Sequence, residues 1–246
     1  MLLRINNLCK LYQRGNNNFS AVNNIAFNMD NNDFVSIVGH SGSGKTTLVK
    51  LMLNFYLPNK GIIKIGETGL NNINPHVWRS KTAAVLQDGF IFSDTIANNI
   101  AVGEDIIDKE RLYNAVTVAN IGQFIDSLPL GYNTKIGMEG SGISQGQRQR
   151  ILIARAVYQN PEFIFFDEAT NALDAKNERE IMEHLEKFYE NKTVIVVAHR
   201  LSTVKNADNI IVLDNGKVAE EGTHKELTAK QGLYYQLVKN QLELGN

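Results

Sequence analysis

Short, nearly continuous apolar runs bounded by turn residues punctuate the chain: Phe34-Val35-Ser36-Ile37-Val38, Phe163-Ile164-Phe165-Phe166, Val194-Ile195-Val196-Val197-Ala198 and Ile210-Ile211-Val212-Leu213. Each is the length of a strand and lacks polar alternation, the pattern of strands covered on both faces. Helical spacing lies between them. Leu48-Val49-Lys50-Leu51-Met52-Leu53 predicts a helix soon after the first run, and Ile181, Leu185 and Phe188 fall on one face of another. Buried strands separated by helices predict an α/β fold, a parallel sheet flanked by helices.

Residues 1–85 alternate short strands with turns rich in Asn and Gly, and Asn16-Asn17-Asn18 predicts an exposed loop tip. From Asp88 to Tyr158 the pattern turns helical. Ile106, Leu112, Val116 and residues 118–121 are spaced for amphipathic helices, and Ser127-Leu128-Pro129-Leu130-Gly131 breaks them. This block, inserted midway, predicts a second, helical lobe. His184 is expected on a helix surface.

Composition narrows the function. A net charge of −1 and pI near 6.5 supply no broad basic field, so no nucleic-acid partner is expected. Cys9 is the only cysteine, cannot form an internal disulfide, and is expected to pack. Met1-Leu2-Leu3-Arg4-Ile5-Asn6-Asn7 lacks the apolar run of a signal peptide. No run approaches the roughly 18 apolar residues that span a bilayer, so a soluble chain is expected.

Against that background one segment carries chemistry. Gly39-His40-Ser41-Gly42-Ser43-Gly44-Lys45-Thr46 fits G-x-x-x-x-G-K-[ST], and Thr47 follows it. Glycines let backbone N–H groups turn inward around phosphate oxygens, and the helix that follows adds its dipole. Lys45 would reach the β and γ phosphates, and the Thr46 hydroxyl would meet Mg2+. Further on, Phe163-Ile164-Phe165-Phe166 ends in Asp167-Glu168. A buried strand that delivers carboxylates at its C-terminal edge puts them where open α/β sheets bind ligands. Asp167 would hold Mg2+ and Glu168 would polarise the water attacking the γ-phosphate. His199 ends the strand Thr193 to Ala198 in the same way, as a γ-phosphate contact or as a structural histidine.

The segment Ile143-Ser144-Gln145-Gly146-Gln147-Arg148-Gln149-Arg150 resembles the signature of the ATP-binding cassette, the nucleotide-binding domain of ABC transporters, usually written LSGGQ. Gln87 resembles the family's Q-loop glutamine, Ala172-Leu173-Asp174 its D-loop and His199 its switch histidine, all in family order. The resemblance covers essentially the whole chain. It implies one cassette domain over 1–246, with a phosphate-loop core (1–87 and 159–246), an N-terminal antiparallel β part and a helical subdomain (88–158). It further implies ATP and Mg2+ as ligands, with Gln87 joining Thr46 and Asp167 at the metal. Ser144, Gln145, Gly146, Gln147 and Asp174 would complete the ATP site of a second copy in a head-to-tail homodimer. On its own, Ser144 before a helix is equally an ordinary N-cap.

Tyr12 occupies the place of the family's adenine-stacking aromatic, or is a half-buried strand tyrosine; Val22 would pack on sugar or base. Phe90-Ile91-Phe92 is either a contact for membrane domains or core of the helical lobe. Departures from the family pattern are Ile143 and Gln145 in the signature, and Met138 where exporters usually carry glutamate, unless Glu139 takes that role.

The resemblance implies ATP hydrolysis at the cytoplasmic face of a membrane, driving export through transmembrane domains, with features shared with peptide and bacteriocin exporters. The alternatives are a non-transport cassette ATPase or a stand-alone ATPase subunit of a lipoprotein or macrolide system. A small-molecule kinase would leave the signature and D-loop unexplained.

Overall fold

The computed structural model describes residues 3–15, 17–137, 142–167, 175–198 and 201–244. The chain divides into two compact units, Met1–Thr82 with Asn191–Asn246, and Ala83–Glu190.

The first unit holds two strand systems. In one, antiparallel strands run in the order Asn17–Met29, Leu3–Arg14, Lys60–Ile65 and Thr68–Gly69. In the other, Lys217–Gly222 pairs antiparallel with Asn209–Asp214, which pairs parallel with Phe34–Val38, itself parallel to Thr193–Val197. All five residues of Thr193–Val197 are buried, so the β-branched run is covered on both faces as its pattern predicts.

The N-terminal strands are longer than expected, 12 and 13 residues. Their asparagines do not all break them. Asn7 and Asn24 take positive φ (47° and 56°) inside the hairpin, close to shifts in register. Asparagine tolerates that conformation, so the pair of strands absorbs bulges and continues. Of the predicted loop tip, Asn17 and Asn18 are strand residues, paired with Arg14 and Gln13, and Asn16 lies outside the described residues. Cys9 is half-buried, its Sγ accepting from Asn24 N–H at 3.3 Å.

In the second unit Phe163–Asp167 neighbours Thr82–Val85 in the sheet order, Asp94–Thr95 pairs antiparallel with Lys135–Ile136, and helices Ile96–Ile100, Lys109–Val118, Gly122–Asp126, Gln145–Gln159 and Ala175–Phe188 accompany them. Ile106 is not helical: Asp108 caps the next helix by accepting from Glu110 and Arg111 N–H, and Ile106 is left 88% exposed ahead of it. His184 is half-buried instead of superficial, and its Nδ1 is buried. Among the described residues no helix is long and apolar enough to cross a membrane.

Candidate nucleotide site

The buried strand Phe34–Val38 runs into the glycine loop, and the helix Lys45–Met52 leaves it, starting inside the loop three residues earlier than its apolar spacing indicates. Two glycines are there by necessity. Gly39 (φ 149°) and Gly44 (φ 101°) lie so close to backbone that an added Cβ would stand 2.2 Å from Leu213 O and 2.2 Å from Ala21 O respectively. The Lys45 ammonium donates to Gly39 O at 2.7 Å and His40 O at 2.8 Å, which draws the cation across the loop.

The loop is built for an anion. Its helix begins at Gly44 with no side-chain cap and no acidic residue in the first turn, so N–H groups and dipole face outward uncompensated. The Ser43 hydroxyl is buried and makes no hydrogen bond. An orphaned buried hydroxyl beside a cation and an uncapped helix start fits phosphate oxygens. His40, Ser41, Gly42 and Thr46 are exposed and Thr47 is half-buried.

Sequence reasoning missed the residues that hold this loop. Gly216 N–H donates to Ser43 O at 3.1 Å, and Gly216 O accepts from Asn23 N–H at 2.7 Å. Asn215 and Gly216 both have positive φ (45° and 75°) between two antiparallel strands, the geometry of a tight hairpin turn. The Asn-Gly dipeptide between apolar runs was the available signal for the turn, though not for its contact with the loop. Tyr12 is half-buried on its strand opposite Phe19. Val22 is 0% exposed, so its side chain is core and offers no surface to a sugar or base.

In the second unit the helix Gln145–Gln159 starts from a reciprocal cap. Ser144 Oγ accepts from Gln147 N–H at 3.2 Å, and Gln147 Oε1 accepts from Ser144 N–H at 2.8 Å. This S-x-x-Q capping box occupies the Ser144 hydroxyl and the Gln147 side chain within the helix start, while Ser144 and Gln145 remain exposed. Basic side chains then tie the helix down: Arg148 donates to Gly89 O (Nε at 3.1 Å) and Arg150 to Asn120 O at 2.8 Å.

Arg155 donates to Asn99 O at 2.7 Å and Phe90 O at 2.9 Å. Burial lowers its pKa to about 10.

Gln87 is exposed and Asp167 is buried at the end of its strand. Phe90 and Phe92 are 62% and 44% exposed, which overturns the core-packing reading for both. Beside them a cleft of about 560 Å³ is lined by Phe92, Asp94, Asn98, Val102, Glu104 and Asp105 among others. Glu168, Asp174 and His199, with Met138 and Glu139, lie outside the described residues.

Fold and loop together define a phosphate-loop nucleotide-binding domain. Residues 22–171 match the family model described as ABC transporter. The ATP-dependent lipid A-core flippase of Saccharophagus degradans is 44% identical over 226 residues, covering 92% of this chain and 39% of its own. The alpha-hemolysin translocation ATP-binding protein HlyB of Escherichia coli O157:H7 is 45% identical over 214 residues, 87% of this chain and 30% of its own. Among solved structures, a bacterial Atm1-family ABC exporter with ATP bound aligns over 98% of this chain and 41% of its own, with TM-score 0.91 and 36% identity. The chain belongs to the ABC transporter family, as an ATP-binding domain. It spans about a third of the length of these curated relatives.

Proposed function

We propose that this chain binds and hydrolyses ATP with Mg2+ and that a pair of copies drives export through membrane-spanning domains at the cytoplasmic face. The observation that carries the reading is the loop itself: two glycines pressed against backbone, a cation across the mouth, an uncapped helix start and the unpaired Ser43 hydroxyl. The names of its relatives, a flippase and a hemolysin translocator, support the direction of transport.

Loop amides and Lys45 bind the β and γ phosphates, and Tyr12 stacks on the base. Thr46, Gln87 and Asp167 offer a hydroxyl, an amide and a carboxylate, hard oxygen donors of the kind Mg2+ accepts beside phosphate oxygens. When bound, the ion supplies neutralisation of phosphate charge. Glu168 accepts the proton of the attacking water, and His199 touches the γ-phosphate. Ser144, Gly146 and their neighbours, with Asp174, meet the nucleotide held by a second copy, where the helix start adds its dipole. The apolar surface of Phe90 and Phe92 and the adjoining acidic cleft face the membrane-spanning partner.

Glu168→Gln tests the chemistry and the pairing together. Loss of the proton acceptor should slow hydrolysis by about 10²-fold or more while nucleotide binding persists, so the variant should accumulate as an ATP-dependent dimer. Adding Ser144→Arg should abolish that dimer and leave monomer binding intact. Size measurement with Mg-ATP decides: monomers in both cases reject the head-to-tail pair, and rapid turnover by the single variant rejects Glu168 as the base.

A further inference from the structure

In the same unit as the loop, a cluster of side chains surrounds Tyr12. The Tyr56 ring meets the Tyr12 ring edge to face, centroids 6.1 Å apart and planes at 84°. The Lys10 ammonium lies 5.7 Å from the Tyr12 centroid and 5.5 Å from that of Tyr56, and donates to Leu57 O at 2.8 Å. Lys10 and Tyr12 are two apart on one strand and so project from the same side.

The segment that carries Tyr56 is itself pinned to that strand. Asn59 N–H donates to Cys9 O at 2.9 Å, Asn59 Oδ1 accepts from Leu11 N–H at 2.8 Å, and Lys60 pairs with Cys9. Tyr56 is 38% exposed, so the cluster is not a piece of the core.

A half-exposed strand tyrosine has more than one rotamer open to it. Stacking on a base requires one ring plane held ready, because an aromatic that must first be immobilised spends binding free energy on its own ordering. An edge-on ring and a cation fastened to a carbonyl supply that restraint. We infer that Tyr56 and Lys10 are positioning residues that fix the Tyr12 ring for the nucleobase, so that base affinity depends on residues outside the contact surface. The inference rests on the proposed stacking role of Tyr12 and deepens it.

The test uses steady-state ATP hydrolysis by the 246-residue chain, with inorganic tripolyphosphate as a competitive inhibitor that carries phosphates and no base. Tyr56→Ala should raise KM for ATP about 3- to 10-fold at unchanged kcat, in line with the strength of an edge-to-face pair. Tyr56→Phe, which keeps the ring, should restore the wild-type KM. Lys10→Met should raise KM about 2- to 5-fold. Inhibition by tripolyphosphate should stay unchanged in all of them. In a Tyr12→Ala background, Tyr56→Ala should add nothing.

An unchanged KM in Tyr56→Ala overturns the inference, as does a loss that adds fully to that of Tyr12→Ala. A parallel weakening of tripolyphosphate overturns it too, since that marks general loosening of the loop. The parent reading fails separately: if Tyr12→Ala alone keeps the wild-type KM, Tyr12 does not stack and the role given to Tyr56 falls with it. If Tyr12→Ala raises KM and Tyr56→Ala does not, only the positioning role is lost.

Discussion

Replacing Gly44 and Gly42 by alanine, one at a time, separates backbone conformation from close approach in the phosphate loop. Both glycines have positive φ, 101° and 80°, so both variants carry the left-handed penalty of about 1–2 kcal/mol, partly offset by a stiffer unfolded chain. At Gly42 a new methyl meets nothing within 4 Å. At Gly44 it would stand 2.2 Å from the Ala21 carbonyl oxygen, well under the 3.0 Å that real Cβ atoms respect. That obstacle is backbone in a buried hairpin and cannot rotate aside, so the helix start or the hairpin must move by the better part of an ångström. Overpacking of this kind costs about 1–3 kcal/mol more. Gly42→Ala should therefore lose about 1 kcal/mol and Gly44→Ala about 2–4 kcal/mol. In urea unfolding of the nucleotide-free chain the two midpoints should differ by about 1 M at ordinary slopes. Coincident midpoints would refute the close packing of loop on hairpin, and with it the reason given for a glycine at position 44.

Two further outcomes follow from the second unit and the C-terminal helices. Arg155→Met leaves the carbonyls of Asn99 and Phe90 without their charged donor and should cost about 2–4 kcal/mol in denaturant unfolding; a loss below about 0.5 kcal/mol would mean water replaces the guanidinium freely. Burial pushes the Tyr234 hydroxyl up to about 12 from 10.0, so its contribution is whole below pH 10, where both states hold the proton. That contribution drains away as pH climbs toward 12, because the unfolded chain ionises first. Tyr234→Phe should flatten this alkaline limb of a stability profile, and an unchanged slope would count against the shift.

The parts legible in the sequence are those whose cause is local. Apolar continuity marks the buried strands because a strand covered on both faces has no polar side to show, and the glycine loop announces itself because its backbone demands glycine in a fixed spacing. Asparagine misled in proportion to its abundance. Among the described residues, eight of the nine non-glycine residues with positive φ are asparagines, and they do different jobs: bulges at Asn7 and Asn24, a helix C-cap at Asn160, a hairpin turn at Asn215. Each conformation is one that asparagine tolerates, so composition alone cannot say whether a strand ends there or merely bends. Val22 shows the other limit. Its place near a nucleotide motif suggested contact, but the hairpin it belongs to turns that side chain inward.

The phosphate loop is also less self-sufficient than its motif suggests. Two chain segments far from it in sequence set its shape. Ala21 O bounds the space beside Gly44, Leu213 O does the same beside Gly39, and Gly216 bridges Ser43 and Asn23 through its own N–H and C=O. The glycines of the motif are required as much by these neighbours as by the anion, since a Cβ at either position would strike a carbonyl before any ligand arrived. A turn of the Asn215-Gly216 type serves here because both residues accept positive φ, which lets the peptide N–H and carbonyl of Gly216 address the loop and the hairpin together. Ordering paid for by the fold is ordering the nucleotide need not supply, so the loop's readiness for phosphate is a property of strand Asn17–Met29 and the Asp214–Lys217 turn as well as of residues 39–46.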